Sequence, residues 1–159
     1  MYCKEYTYSH IASVTAVPSA ECALSPAAIF SPVIEDEQLT IASLDNTIVI
    51  GRSADGDAVI PFVRDSVKVS DAESDAVAGR SHTVELSCEV DARNVTVITH
   101  IARLERGPYC LLLQLGDGSR AFVAADRDSY LCTSGKSTDN NVSISIKIHN
   151  RQGIQLVQS

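Results

Sequence analysis

The chain contains no apolar run approaching the length needed to cross a bilayer as a helix, about 20 residues. Its opening stretch from Met1 to His10 has neither the basic flank nor the continuous apolar core of a secretory signal. Those two absences predict a protein made and kept inside a cell, with no membrane partner, unless processing removed a signal before this numbering begins. Basic clusters are lacking as well. Thirteen Lys and Arg residues stand against 20 Asp and Glu, giving a formal net charge of −7 and a pI near 4.9. A surface of that sign repels phosphate backbones, which argues against sequence-specific nucleic-acid binding. It favours solubility and can steer a basic partner without identifying one.

Cysteine is present without a pattern. The five residues Cys3, Cys22, Cys88, Cys110 and Cys132 are odd in number and widely spaced, with no C-x-x-C and no Cys/His pair at zinc-finger spacing. Cys88 falls on the apolar side of an alternating segment and Cys110 within an apolar run. Both read as buried, reduced thiols behaving as small hydrophobes, in a reducing compartment. No metal and no cofactor is expected.

Catalytic frames are missing too. The four histidines, His10, His82, His100 and His149, lie in no G-x-S-x-G turn or comparable setting. His82 is read at the end of a strand, His100 on a helix and His149 just after a strand, in surface or core-edge roles. Glu85 and Glu89 share the polar side of one strand, two pleats apart, and read as solvated rather than as an acid–base pair. Asp55, Asp57 and the acidic stretch 71–75 lack the spaced oxygen ligands of a calcium loop. Gly116-Asp117-Gly118 has no following Lys and no helix start, so it is a hairpin turn and not a phosphate cradle. No catalytic residue is assigned, and a non-enzyme is expected; an intracellular hydrolase is the least supported alternative.

What is there is a scaffold. With 159 residues, 45% apolar and 21% charged, the chain is long enough for one well-formed core and ordinary in composition. From His82 to Val90 it alternates: His82, Val84, Leu86, Cys88 and Val90 on one side, Thr83, Glu85, Ser87 and Glu89 on the other. Period two is the mark of a half-buried strand. From Asp91 to Arg106 the spacing turns helical, with Asp91 or Asn94 able to cap it and Gly107-Pro108 ending it. Val97, Ile98, Ile101 and Leu104 form its apolar stripe, and Arg103 and Arg106 complement its C-terminal dipole. The run Val95 to Thr99 is entirely β-branched, so burial must hold this helix; otherwise the segment is another strand.

Tyr109–Leu115 and Ser119–Ala125 flank the glycine turn as a hairpin, Val142–Ile148 alternates again, and Asn150 to Gly153 turns into Ile154–Val157. Thr47–Ile50 closed by Gly51, Ala58–Val63 demoted to an edge or a bulge by Pro61, and Ser66–Ser70 read as further strands. Ala54-Asp55-Gly56-Asp57 is a turn, and the acidic stretch from Asp71 to Ser81 is expected to be an exposed loop. Residues 1–38, punctuated by Pro18, Pro26 and Pro32, are read as an irregular N-terminal arm that packs on the body or on a neighbouring subunit, with room for a short strand at Ile11–Val17; a flexible leader is the alternative, and 39–159 form the β-rich domain. The predicted fold class is mainly β, all-β or α+β: an antiparallel β-sandwich or flattened barrel with one packed helix.

Two resemblances arise from particular residues. Ile48-Val49-Ile50-Gly51-Arg52-Ser53 followed by Ser81-His82 resembles the forkhead-associated phosphopeptide-binding module, whose Gly-Arg start and Ser/His pair build a phosphothreonine pocket on loops of a β-sandwich. Here the separation is longer than in that family, Arg80 precedes its Ser, and the later Asn-Gly element is missing. The order of elements from about Leu39 to Val157 is similar to that of phage and prophage tail-tube and tail-assembly proteins. It is carried by strands within Thr47–Ser70, the His82–Val90 strand, the helix ending Leu104-Glu105-Arg106-Gly107-Pro108, Tyr109–Leu115, Ser119–Ala125, Thr133-Ser134-Gly135-Lys136-Ser137 and the last alternating strand. That resemblance implies a structural protein of the virion, present in host cytoplasm during assembly, that forms homo-oligomeric rings through sheet edges and contacts other tail or capsid proteins. A small intracellular β-domain binding a peptide or ligand, forkhead-associated-like, is the alternative.

Overall fold

A computed structural model describes residues 3–8, 11–29, 31–43, 46–51, 60–63, 66–76, 79–91, 93–136 and 140–158, with the side chains of 3–8 and 74–80 left out of the description. Among the described residues the chain is mainly β, with one helix and three sheets, none of them closed.

The alternating segments pair into a five-stranded sheet. Cys3–Tyr8 (β1), Lys68–Ala76 (β8), Gly79–Asp91 (β9), Asn141–Asn150 (β13) and Tyr130–Lys136 (β12) lie side by side in the order β1-β8-β9-β13-β12, every pair antiparallel. Along β9, Val84, Leu86, Cys88 and Val90 are buried while Thr83, Glu85, Ser87 and Glu89 are only partly covered. On β13, Ile144, Ile146 and Ile148 are buried in the same sense. On the outer face Glu85 sits directly opposite Lys147, a cross-strand pair of opposite charge.

The second sheet has seven strands. Ile11–Pro18 (β2), Val33–Glu35 (β4), Ile48–Gly51 (β6), Ile60–Pro61 (β7), Tyr109–Leu115 (β10), Arg120–Val123 (β11) and Ile154–Gln158 (β14) follow the order β4-β14-β11-β10-β2-β6-β7. The two end pairs, β14 with β4 and β6 with β7, are parallel, and the rest are antiparallel. Pro61 sits on the margin strand, where its missing N–H breaks no interior ladder. Gly118, with φ of +91°, supplies the left-handed residue of the β10–β11 turn. The two sheets share one core, formed by Val69, Val84, Leu86, Cys88, Ile144, Ile146 and Ile148 from the first and Val14, Ala16, Ile48, Ile50, Leu111, Leu113 and Val123 from the second. Open sheets face to face make this a sandwich and not a flattened barrel.

The helix runs Val95–Arg106 (α1), starting later than Asp91 because β9 extends to that residue. Of the two candidate caps Asn94 acts: its side chain accepts from the Thr96 amide at 2.8 Å. Val97, Ile101 and Leu104 are buried, each contributing roughly 2 kcal/mol by leaving water. Ile98, expected in the same stripe, is 53% exposed. The buried positions follow the tighter i, i+4, i+7 line, so α1 offers the sandwich a narrow ridge. It packs against β12 and β7, margin strands of different sheets.

Two other expectations give way. Residues 71–76 and 79–81 are not an exposed loop. Through Ala76 they continue β8, and from Gly79 they begin β9, paired from Asp71↔Val84 to Ala76↔Gly79. The strand allowed for at Ile11–Val17 is present as β2, yet the described part of residues 1–38 is not an irregular arm. β2 lies in the interior of the seven-stranded sheet between β10 and β6, and Val14, Ala16 and Val17 are buried. Beyond it, Cys22–Leu24 (β3) and Leu39–Ile41 (β5) pair as a small antiparallel ribbon. That ribbon, together with Ala28 and Ile34, packs with Cys110, Phe122 and Val157 in a second cluster, on the side of the seven-stranded sheet away from the main core. Among the described residues no helix is long and apolar enough to cross a membrane.

Candidate functional site

A part-buried polar cluster lies where the chain crosses from one sheet to the other. Three inward-facing rows end there in polar residues: Val67 and Val69 lead to Asp71, Leu86 and Val84 lead back to His82, and Ile146 and Ile148 lead to Asn150. Register places His82 opposite Asn150. Asp71 is only 7% exposed, and its Oδ1 lies 2.8 Å from His82 Nδ1. An ionised carboxylate can only accept, so Nδ1 carries the shared proton. The second carboxylate oxygen accepts from the Ile154 amide at 3.0 Å, at the first residue of β14. Asn150 completes the junction: its Oδ1 accepts from the Gly153 amide at 2.6 Å, and its Nδ2 donates to the Ala124 carbonyl at 2.8 Å.

Gly153 is required at this point. Its φ is +67°, and a Cβ there would lie 2.5 Å from both Asp71 Oδ2 and His82 Nδ1. A carboxylate-held imidazole is the arrangement that orients a general base. Here both carboxylate oxygens bind groups that hold strands in place, so the cluster ties β8, β9 and β13 to β14. It is an inter-sheet clamp.

The other described histidines, His100 and His149, are separate from it. His149, within β13 and not after it, has Nδ1 3.0 Å from Thr83 Oγ1. On α1, Arg103 Nη1 stands 3.2 Å from His100 Nδ1. Burial first, then that neighbouring cation, holds His100 below the ordinary imidazole range. Glu85 accepts from Ser145 at 3.3 Å on the outer face. His10, Arg52, Asp55 and Asp57 lie outside the described residues. Ser81 and His82 are inside β9, with His82 turned to Asp71, so this pair is not on a loop as a forkhead-associated pocket requires. Among the described residues no three His, Cys, Asp or Glu are placed to hold a metal ion.

The thiols fall into two kinds. Burial pushes the Cys88 thiol up to about 12 and the Cys132 thiol up to about 11. Cys22 and Cys110 pack in one cluster beneath the β3–β5 ribbon. Interaction with Cys22 holds the Cys110 thiol below its usual range, and interaction with Cys110, followed by burial, raises Cys22. Cys110 also donates to the Ala125 carbonyl at 3.7 Å. Nearby, fully buried Gln155 donates through Nε2 to the carbonyls of Ala28 at 2.8 Å, Ile29 at 3.2 Å and Ser31 at 2.8 Å. Its Oε1 has no partner among the described residues.

Sequence reasoning missed Asp71, Asn150, Gly153, Gln155 and the Cys22–Cys110 pair. For Asp71 and Asn150 a signal existed, since each continues a period-two row, Val67-x-Val69-x-Asp71 and Ile146-x-Ile148-x-Asn150. For the cysteines there was none, because their approach depends on a fold over 88 positions of chain. No protein-family model, no curated protein and no solved structure matches this chain.

Proposed function

We propose that the protein is a non-enzymatic structural subunit, of the kind found in phage and prophage tails, that self-assembles through its sheet edges into rings. The observation that carries this reading is the open five-stranded sheet: among the described residues, β1 and β12 each pair with a single neighbour, on opposite margins. A margin strand presents unpaired N–H and C=O groups that template a further strand. Joining β12 of one copy to β1 of the next is a head-to-tail contact, which yields a ring when its rotation closes. On β12, Leu131 is 57% exposed, and Thr133, Ser134 and Gly135 are exposed beside it. The net charge of −7 suits a tube wall along which DNA slides without sticking. Its partners are then further copies of itself and other tail or capsid proteins, in the virion and in host cytoplasm during assembly.

Light scattering coupled to size-exclusion chromatography, run at rising protein concentration, tests the reading. A ring mass is expected, and Leu131→Lys, which places a charge on the margin strand, shifts the population at least tenfold toward monomer. A strict monomer at the highest soluble concentration overturns it.

A further inference from the structure

The outward side of α1 is used by neither the clamp nor the shared core. At about 3.6 residues per turn, Val95, Ile98 and Ala102 line up on one side of the helix, away from buried Val97, Ile101 and Leu104. Val95 is 77% exposed and Ile98 53%, while Ala102 is half-buried. Glu105 lies about two turns beyond Ile98 on the same line and accepts from Ser134 Oγ. Next to it, Tyr130 donates to the Leu104 carbonyl at 2.7 Å. The Ile98 side of the stripe therefore borders β12. At the start of β12 the His149 amide donates to the Ser129 carbonyl at 2.9 Å. With that register the peptide groups of Cys132 and Ser134 point away from β13, to the open margin. A strand added there lies beside the stripe.

The two margins of the five-stranded sheet differ in charge. β12 and α1 carry Lys136, Arg103 and Arg106 against Glu105, a formal net of +2. β1 and β8, apart from Asp71 of the clamp, carry Glu5, Glu73 and Asp75 against Lys4 and Lys68, a net of −1. Like margins repel and unlike margins attract, so β12 meets β1 and not another β12. Among the described residues the seven-stranded sheet has shorter margins. β7 is two residues long and contains Pro61, and β4 is three residues long and runs into the Asp36–Gln38 turn. We propose that the stripe of Val95, Ile98 and Ala102 is a docking shelf for a second copy, whose β1–β8 margin lies on it when its β1 joins β12; this rests on ring assembly through sheet edges. The joint is then two-sided, with backbone pairing along β12 and apolar burial along α1, and Arg106 and Lys136 meet an acidic neighbour.

Hydroxyl-radical footprinting of the unaltered chain compares the assembled ring with the dilute monomer. Val95 and Ile98 should lose most of their labelling on assembly, whereas exposed Val33, on a margin of the other sheet, should keep it. Val95→Asp combined with Ile98→Glu should shift the population roughly tenfold toward monomer without lowering the monomer's melting temperature, since both positions are exposed. Arg106→Glu with Lys136→Glu should weaken assembly to a similar degree, and Glu5→Lys with Asp75→Lys added to the same chain should restore it. The inference is overturned, with ring assembly left standing, by a ring that labels at Val95 and Ile98 as the monomer does, by one that keeps its mass in the first variant, or by a charge reversal that the second fails to restore. A parent that stays monomeric at every concentration removes both. The footprint is read on the unaltered chain, so it decides the matter even if a variant fails to fold.

Discussion

β9 and β10 are both central strands, yet their sequences differ in kind. β9 alternates, burying Val84, Leu86, Cys88 and Val90 and leaving Glu85 and Glu89 partly in water. β10 reads Tyr-Cys-Leu-Leu-Leu-Gln-Leu: Leu111 and Leu113 face the main core, whereas Cys110 and Leu112 pack under residues 22–41. A strand with one wet face must alternate; a strand covered on both faces need not. The continuous apolar run of β10 therefore announces a second cover on its sheet. That cover is held by a small cluster and by the three hydrogen bonds of Gln155, while the main core is held by two full sheets.

Substitutions separate the two faces. Leu86→Ala, emptying a fully buried site between the sheets, should cost about 3–5 kcal/mol and lower the midpoint of urea unfolding for the whole molecule. Gly153→Ala, forcing a Cβ at positive φ into Asp71 and His82, should cost about 2–3 kcal/mol in the same assay. Alkaline pH probes the main core through its thiols. Their folded values lie above the ordinary 9.0, so the folded state keeps protons that the unfolded state releases. Stability is therefore intact below pH 9.0 and falls as pH climbs toward 11 and 12. For Cys88 the loss is roughly 2 kcal/mol by about pH 10.5, and Cys88→Ala should flatten that part of the thermal-melt profile. The smallest global effect belongs to the cover. Gln155→Ala should cost about 1 kcal/mol overall while markedly speeding amide exchange in residues 22–29 and 31–41. Equal exchange in the variant and the parent would mean that the cover does not depend on Gln155.

The strands at 82–90, 109–115, 142–148 and 154–157 were legible because each is written in local period or bounded by a recognisable turn. The helix was legible through Asn94, its buried stripe and Gly107, although β-branched residues from Val95 to Thr99 disfavour it intrinsically. Packing against β12 and β7 overrides that preference. Residues 71–76 misled because Asp, Ser, Ala and Glu are poor strand formers. Pairing with β9 on one side and β1 on the other decides their conformation. Prolines at 18, 26 and 32 similarly suggested irregularity, but Pro18 only ends β2, and the strand before it is enclosed between two neighbours.

Side-chain period is a local property, and from it the sequence alone determined the strands at 82–90, 109–115, 142–148 and 154–157 and the one helix between them. It also determined the glycine turn and narrowed the helix cap to Asp91 or Asn94, both of which depend on residues a few positions apart. Which segment hides each face was decided only by tertiary structure. Residues 22–29 and 31–41 covering β10, Asp71 reaching Ile154, and Cys22 joining the cluster of Cys110 all depend on contacts across many tens of residues, and no local pattern encodes the partner.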